Sequence, residues 1–468
     1  MKSFEKIPNM RKIPKNPLLF MWEALYGARK WAVTGMILAF GLQISKVYVP
    51  VFFSKMINYF ALITPHELSW SKTGWLLVAI FFAYVGQSVF RMVRELIEEN
   101  NVRNFIGAKI KLFAVDYLAK HSENYFSSQK SGQLSQKTLN CSNKTMELHR
   151  NISRFYSAFF FVLLNFYFIG RVSLWFLLLV FVFGSISAVA SYKISFKLRS
   201  LHKNANDMLD DFNGVVADSI SNSLNIKAGG SEDYEISYVK RIFDKCIAAS
   251  LAATNKFHDG LRIQRTMLCL FESGSILLLI KMWYQNQVSV GDVALVLMLM
   301  DAIMNTFSGI LVNICELNTN YGALQAAMSP FVLKHEIVDA KNAKNLKIKG
   351  GKIEFKNVHF SYGKKKVFNK LSFTINAGEK VGIVGVSGSG KSTLINLLQR
   401  AYDIQSGQIL IDGQDIKNVT QSSLHQNLAI IPQDTSLFHR TVSQNVSYGR
   451  LHAKQSDIEK AAQRAYAD

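Results

Sequence analysis

Six apolar runs between residues 31 and 315, followed by the glycine-rich stretch GVSGSGKS at 385–392, predict a chain in two parts. The first part is predicted to be a multi-pass α-helical membrane domain, whose six transmembrane helices have long cytoplasmic extensions. The second part is predicted to be an α/β domain built around a phosphate-binding P-loop. A chain of 468 residues is long enough for two or more such domains.

The membrane domain is predicted from the length of its apolar runs, because a helix needs about 20 mostly apolar residues to cross the hydrocarbon. The transmembrane helices are expected at approximately 31–60, 73–97, 153–170, 172–193, 265–284 and 291–315. The whole domain is assigned to residues 31–333, after a basic lead-in at 1–30. A Lys-rich linker at 334–350 separates it from the second domain at 351–468.

The distribution of basic residues predicts the orientation of the chain. Of the net charge of +21, residues 351–468 carry +6, from 15 Lys and Arg against 9 Asp and Glu, so +15 lies on residues 1–350. Basic residues flank the apolar runs there, as they do on the cytoplasmic side of membrane proteins. We therefore expect a multi-pass protein of the cell (inner) membrane, surrounded by lipid, with both termini cytoplasmic. The pattern lacks the aromatic–basic interleaving of nucleic-acid-binding proteins, so no nucleic-acid partner is expected.

Three charged residues lie within or near the predicted membrane depth: Lys46, Glu272 and Asp301. Ionisable groups are costly in lipid and usually face a cavity or each other. One interpretation is that these side chains line a polar substrate path. The other is a structural role, either in an interhelical ion pair or by reaching the interface. The sequence leaves both open.

The stretch at 385–392 fits the pattern G-x-x-x-x-G-K-[ST]. Its glycines, Gly385, Gly388 and Gly390, let the backbone curl so that successive N–H groups can face phosphate oxygens. Lys391 is then expected to reach the β- and γ-phosphates, and the Ser392 hydroxyl to hold Mg²⁺. These residues predict a nucleoside triphosphate site.

The segments beside the loop support this interpretation. The β-branched run VGIV at 381–384 is typical of a buried parallel strand. STLINLL at 392–398 is expected to open a helix whose N-terminal dipole favours an anion. Farther along, SGQILIDGQDI at 406–416 predicts two strands joined by an Asp-Gly turn.

These motifs, in this order, resemble the nucleotide-binding domain of ATP-binding cassette (ABC) transporters of the exporter type, in which six helices precede the ATPase on one chain. The resemblance rests on FSYG at 360–363, GVSGSGKST at 385–393, SGQILIDGQDI at 406–416 and IIPQDTSLFHRTVSQNVSYG at 430–449. In the membrane part, NYFSSQKSGQLSQ at 124–136 resembles the first cytoplasmic coupling segment, NIKAGGSEDYE at 225–235 the second, and SVGDVALVL at 289–297 the entry to the sixth helix.

The resemblance implies ATP and Mg²⁺ as cofactors and a second half-transporter, identical or different, as partner. It implies that Tyr362 stacks on adenine, and that Gln433 reaches Mg²⁺ together with Ser392 and positions the attacking water as the catalytic residue. Contacts to ATP are implied for the whole loop: Gly385, Val386, Ser387, Gly388, Ser389, Gly390, Lys391, Ser392 and Thr393.

The sequence departs from the family pattern after Gln433. It contains no LSGGQ-type signature, no apolar run ending in Asp-Glu and no switch histidine beyond that point. We therefore expect a partial α/β domain and a truncated, hydrolysis-deficient form of an exporter for an unidentified substrate. The alternative is an ATP-binding regulatory membrane protein without turnover. A soluble or nucleic-acid-dependent P-loop ATPase conflicts with the six apolar runs.

Overall fold

The computed structural model describes residues 13–63, 69–127, 131–431 and 437–467. The chain divides into two compact units. A helical unit comprises Met1–Leu118 with Gly132–Leu333, and a sheet unit comprises Ala119–Ser131 with Lys334–Asp468. The connection at 119–131 therefore folds with the sheet unit, although it lies between two helices of the helical unit in the sequence.

The helical unit contains the six predicted spanning helices, which confirms the membrane part of the fold prediction. The helices are α1 (Pro17–Ala24), α2 (Arg29–Leu62), α3 (Trp70–Ile97), α4 (Asn104–Leu118), α6 (Ser131–Val172), α7 (Leu174–Ser221), α8 (Ser223–Ala228), α9 (Glu232–Tyr284), α10 (Val290–Ala327) and α11 (Ser329–Val332), while α5 (Glu123–Ser127) belongs to the sheet unit. Within the described ranges, six helical stretches are apolar and long enough to cross a membrane, the second of them running from Trp70 to Leu118 through α3 and α4. Helices of up to 53 residues extend well beyond the span that a bilayer requires.

The start of α10 shows how the sequence fixes the packing of two spanning helices. Ser289 and Asp292 form a reciprocal capping box that begins the helix. Next to it, the Gly291 N–H donates to Asn58 Oδ1 of α2 at 2.7 Å. A Cβ at Gly291 would lie 2.3 Å from the Ser54 carbonyl oxygen. Only glycine permits this approach of α10 to α2.

A buried lysine holds the end of α1. Lys109 of α4 is 2% exposed, and its ammonium donates to the carbonyl oxygens of Glu23 at 3.1 Å and Tyr26 at 2.9 Å. Carbonyls at the end of a helix lack partners within the helix. The buried charge and the terminal carbonyls thus satisfy each other inside an apolar cluster that includes Phe20 and Ile106.

A π-helical segment, Glu98–Arg103, joins α3 to α4 and begins with a polar network. The Glu98 carboxylate accepts from Arg94 Nε at 2.9 Å and from Ser153 Oγ of α6 at 3.0 Å. Arg94 Nη2 also donates to Ser153 Oγ at 2.7 Å. The three side chains satisfy one another and tie α3 to α6.

The three intramembrane charges fall in different surroundings. The Lys46 ammonium lies 6.0 Å from the centre of the Phe161 ring and is half-buried. Asp301 is exposed and accepts from Asn305 Nδ2 at 3.3 Å. Glu272 is partly buried on α9. No ion pair within the described ranges engages any of the three.

The sheet unit is built on four antiparallel strands in the order β2-β1-β3-β4. The strands are β1 (Ile353–Tyr362), β2 (Lys365–Ile375), β3 (Ser406–Ile411) and β4 (Gln414–Asp415), and the helices after β2 are α12 (Lys391–Leu398), α13 (Gln421–Gln426), α14 (Val442–Val446) and α15 (Gln455–Arg464). Phe355, Val358, Leu397 and Leu424 lie in its core. The predicted hairpin at 406–416 and the helix after the loop are confirmed.

The Asp-Gly turn between β3 and β4 also anchors the start of the sheet. Asp412 and Gly413 both have positive φ, of 48° and 76°. The Asp412 carboxylate accepts four backbone N–H bonds from residues 349–352, at 2.6 to 3.0 Å. These bonds hold the pKa of the Asp412 carboxyl far below its usual range. The turn therefore fixes the chain entering β1.

The prediction of a buried parallel strand at 381–384 is wrong for this structure. Residues 381–384 form no strand and are exposed, with Val384 97% exposed. The physical reason is that no strand among the described residues pairs with this run. Residues with high β-propensity form a strand only where a neighbouring strand pairs with them and another layer covers them.

We expect Asp412→Asn to lower the thermal unfolding midpoint of the sheet unit, because an amide NH₂ replaces one of the two carboxylate oxygens that accept backbone bonds. Asparagine tolerates the positive φ at this position, so backbone strain should not contribute. The bonds to the Asp412 carboxylate stabilise the fold fully above about pH 3.9, the pKa of an aspartate in the unfolded chain. This stabilisation is lost only as the pH falls through the lower pKa of the carboxyl in the folded chain. The difference between variant and wild type should therefore stay constant from pH 7 to 5. Thermal unfolding followed by circular dichroism measures it.

The matched control is Asp457→Asn, whose carboxylate faces Arg450 at 3.8 Å on an exposed surface. This control should change the midpoint little. Equal midpoints for the two variants would contradict the anchoring role of Asp412.

Candidate nucleotide site

The loop at 385–390 has the backbone that its glycines predict. Gly388 and Gly390 have φ of 83° and 99°, in the left-handed region. A Cβ at Gly390 would lie 3.0 Å from the Phe368 ring and 3.1 Å from Val367 Cγ1. Gly390 is thus required both by its φ and by the close approach of β2.

The lysine of the G-x-x-x-x-G-K-[ST] motif bonds backbone carbonyls of the same loop. Lys391 Nζ donates to the carbonyl oxygens of Gly385 at 2.7 Å and Val386 at 3.0 Å. The ammonium therefore lies over the first two residues of the loop. A phosphate chain bound in the loop would exchange these carbonyl acceptors for stronger, charged ones.

The N-terminus of α12 suits an anion. Gly390 is its N-cap, and no side chain caps its first amides. Ser392, in the first turn, is exposed, whereas Thr393 is buried. Uncapped N–H groups and the helix dipole favour a phosphate at this position. The exposed Ser392 hydroxyl can hold a cation beside such a phosphate, so the residues present fit both ATP and Mg²⁺.

Tyr362 ends β1 beside this helix. Its hydroxyl lies 3.5 Å from Thr393 Oγ1, although 31 residues separate them. Its ring makes edge contacts with Phe360 and Tyr402, at centroid distances of 4.8 and 5.1 Å. It remains 38% exposed. The structure therefore brings Tyr362 next to the loop with open ring surface, as adenine stacking requires.

Tyr402, which the sequence did not single out, extends this contact to the connection at 119–131. Its hydroxyl lies 3.5 Å from Asn124 Oδ1 of α5. Asn124 Nδ2 in turn donates to Glu336 Oε2 at 3.2 Å, and Ser122 Oγ donates to the same oxygen at 2.8 Å. The tyrosine beside the loop is therefore in contact with the first coupling-like segment through one further aromatic ring.

A histidine within the same segment packs against a ring of its own segment and against His335. His121 is 8% exposed, stacks on Tyr125 at 4.0 Å between ring centroids, and lies 4.5 Å from His335. Burial lowers the pKa of His121 to about 4; His335 acts in the same direction and Glu336 opposes it. The ring is thus neutral at pH 7, and the segment packs without burying a charge.

The structure brings most of the predicted site together. The loop residues Gly385, Val386, Ser387, Gly388 and Ser389 are all exposed, and Lys391, Ser392, Thr393 and Tyr362 lie around the start of α12. Gln433, the predicted catalytic and metal-binding residue, lies outside the described residues. The residues that support the loop, Val367 and Phe368, were missed because an alternating strand pattern does not reveal which apolar side chain meets a glycine.

Comparison with known proteins agrees with this geometry. Residues 368–467 match the family model described as ABC transporter. The chain is 27% identical, over 97% of its length, to an uncharacterized ABC transporter ATP-binding protein of Haemophilus influenzae, of which it spans 74%. It is 32% identical to ATP-binding cassette sub-family B member 6 of Xenopus tropicalis, over 63% of the chain and 35% of that protein. It is 34% identical to the iron-sulfur clusters transporter atm1, mitochondrial, of Aspergillus fumigatus, over 54% of the chain and 35% of that protein.

A bacterial Atm1-family ABC exporter solved with ATP bound has the same fold, with a TM-score of 0.83 over 94% of this chain and 78% of that one, at 23% identity. The six-helix unit and the P-loop domain define a multi-pass, ATP-binding membrane protein. More particularly, residues 368–467 match the ABC transporter family, and the chain resembles an exporter-type half-transporter, in which a six-helix membrane domain precedes the ATPase domain.

Replacing the tyrosine beside the loop tests the adenine contact. We expect Tyr362→Ala to weaken ATP binding by about 5- to 150-fold, since base–aromatic stacking contributes about 1–3 kcal/mol. Tyr362→Phe keeps the ring and should bind within about twofold of wild type. Titration with a fluorescent ATP analogue measures both. Equal losses for the two variants would assign the effect to the Thr393 contact instead.

Proposed function

We propose that this chain is the subunit of an ATP-driven exporter, in which two half-transporters form the complete machine. Its cargo is a hydrophilic solute that carries negative charge. Mg²⁺ accompanies ATP at Ser392 and Gln433, and both termini lie on the cytoplasmic side of the inner membrane. ATP binds at the loop of residues 385–393.

The observation that supports export most strongly is the position of residues 119–131. In the sequence they connect α4 to α6, and in space they pack with the domain that carries the P-loop. Asn124 contacts Tyr402, which contacts Tyr362 beside the loop. A change at the nucleotide site therefore has a path of packed side chains to residues 119–131, which follow α4 and precede α6 in the sequence. A regulatory ATP site without a transport role would not need this connection.

The polar face of α10 supports a hydrophilic cargo. Along one side of this helix lie Asp301, Asn305, Ser308, Asn313, Glu316 and Asn320. The opposite side is buried and apolar, with Leu299, Ile303, Phe307 and Leu311. Polar groups at membrane depth face a cavity or another polar helix. The exposed Asp301 and Asn305 therefore favour the substrate-path interpretation.

A cleft at the far end of this face supports a negatively charged cargo. It measures about 560 Å³ and is lined by Arg103, Asn140, Asn143, Lys144, Met146, Glu147, Arg150, Glu316 and Asn320. Arg103 pairs with Glu99 and Arg150 with Glu147, whereas Glu316 pairs with Arg154 of α6. Lys144 instead donates to the neutral Asn320 Oδ1 at 3.2 Å. Its charge is therefore available to an anion.

The names of the relatives fit this cargo class. The Aspergillus fumigatus relative is named an iron-sulfur clusters transporter. Iron–sulfur clusters are held by thiolates, and a thiolate-ligated cluster is a charged, hydrophilic species. We therefore place the cargo of this chain in that broad class.

Lys391→Ala tests the ATP site. Loss of one charged hydrogen bond is worth about 1.5–3 kcal/mol, so ATP should bind roughly 10- to 150-fold more weakly. Lys417→Ala removes a lysine from a short helical turn away from the loop and should leave binding unchanged. Photolabelling of membranes with an ATP analogue and release of phosphate are measured together. ATP binding with no phosphate release under any partner condition would favour the regulatory alternative.

Lys144→Ala tests the cargo class. We expect the KM for an anionic thiol conjugate that stimulates the complete transporter to rise about fivefold, since a partly exposed charge contact is worth up to about 1 kcal/mol. The control is Lys137→Ala on the same helix, whose ammonium donates to Ser329 Oγ at 3.2 Å outside the cleft. An unchanged KM for Lys144→Ala, or an equal change in both variants, would contradict an anionic cargo in this cleft.

A further inference from the structure

The turn between β1 and β2 places a lysine directly opposite Tyr362. Gly363 and Lys364 form a two-residue turn, and Gly363 has a φ of 55°, in the region that such hairpin turns favour at their first central residue. The turn sets the register of the two strands, in which Tyr362 pairs with Lys365. Residues paired directly opposite one another project from the same face of a sheet. Lys365 and Tyr362 therefore share one face of the hairpin.

That face is the one on which the nucleotide loop lies. The Tyr362 hydroxyl is 3.5 Å from Thr393 Oγ1 of α12. Farther along β2, the Phe368 ring lies 3.0 Å from the position that a Cβ would take at Gly390. A nucleotide that contacts both Tyr362 and the loop therefore lies against this face. The flexible four-carbon stem of Lys365 lets its ammonium reach across the same face.

The next lysine along β2 projects from the other face. Ser361 pairs with Lys366, and successive side chains of a strand alternate between the two faces of the sheet. Lys366 therefore lies on the face opposite to Tyr362. The hairpin thus offers two lysines of equal charge at adjacent positions, of which Lys365 shares the face of the loop and Lys366 does not.

The positive charge of this turn is not offset by neighbouring acidic side chains. The lysines at 364–366 are all exposed, and no ion pair within the described ranges engages any of them. Lys352 and Lys356 differ in this respect, because both pair with Glu354, at 3.2 and 3.4 Å. Basic side chains without acidic partners create a positive potential that raises the local concentration of anions. The turn is therefore suited to attract a phosphate chain.

We propose that Lys365 binds the phosphate chain of the nucleotide and adds to the preference of the site for nucleotides over uncharged nucleosides. Stacking on Tyr362 recognises the base, which a nucleoside also carries, so stacking alone gives no such preference. Lys391 and the first amides of α12 hold phosphates in the loop. Lys365 supplies a second cation, from the hairpin. This inference rests on the proposed function, because it requires that ATP binds at the loop.

Nucleotide binding by the full chain in detergent tests the proposal. A fluorescent ATP analogue is titrated into wild type and Lys365→Gln, and adenosine is measured by competition, each at low and at high ionic strength. We expect Lys365→Gln to bind the analogue about fivefold more weakly at low ionic strength, an effect typical of one exposed charge contact. The loss should shrink at high ionic strength, because salt screens exposed charges. The affinity for adenosine should not change.

Two matched variants separate this role from a general effect of surface charge. Lys366→Gln removes the same charge from the adjacent position on the other face, and it should bind the analogue within about twofold of wild type. Lys365→Arg keeps the charge and should also bind within about twofold of wild type. Both lysines are exposed, so the thermal unfolding midpoints of all three variants should match that of wild type.

Three results would overturn the proposal. The first is an equal loss of affinity for Lys365→Gln and Lys366→Gln, which would assign the effect to the total charge of the hairpin. The second is an equal loss for adenosine and for the ATP analogue, which would assign the effect to the base rather than to the phosphates. The third is an affinity of Lys365→Gln that equals that of wild type.

The same titrations distinguish this proposal from the proposed function. If Lys391→Ala weakens ATP binding while Lys365→Gln binds like wild type, the proposal for Lys365 fails alone. If Lys365→Gln weakens binding as expected but the chain supports no export with a second half-transporter, the proposal for Lys365 stands and the export function fails. If wild type binds no nucleotide, both fail.

Discussion

The pairing of backbone N–H and C=O groups is the constraint on which the rest of this molecule depends. In lipid no water can satisfy them, so helices that bond internally are the solution for the spanning segments. Where α1 ends, the buried Lys109 donates to the carbonyls of Glu23 and Tyr26. Where β1 begins, four free amides are taken by Asp412. The Lys109 ammonium and the Asp412 carboxylate thus both bond backbone groups of this chain.

The same requirement explains the nucleotide site. The N-terminus of α12 has no side-chain cap, and the loop before it is exposed. A helix end left this way is a ready site for a phosphate, whose oxygens satisfy the amides. Lys391 already bonds two loop carbonyls, so the loop is held near a binding shape by its own cation. A phosphate bound there would replace these carbonyl acceptors with charged ones.

The sequence was most informative where one local property decides the structure. The six spans follow from run length, and the loop follows from glycine spacing, because each depends on residues close in the chain. The strand expected at 381–384 failed because a ladder depends on neighbours that the sequence of the strand does not describe. The contacts of Tyr402 with Tyr362 and Asn124 were also out of reach, since they join three distant segments.

The two units differ in how their backbone groups are paired. Each spanning helix pairs its backbone within one segment, so lipid and neighbouring helices need to supply only packing. A strand pairs its backbone with another segment, and the runs around Val384 and Ile431 lack one among the described residues. Among the described residues, the spanning helices therefore pair their backbone internally, whereas the runs at 381–384 and 429–431 belong to no sheet. Residues 119–131, which lie between α4 and α6 in the sequence, belong to the sheet unit.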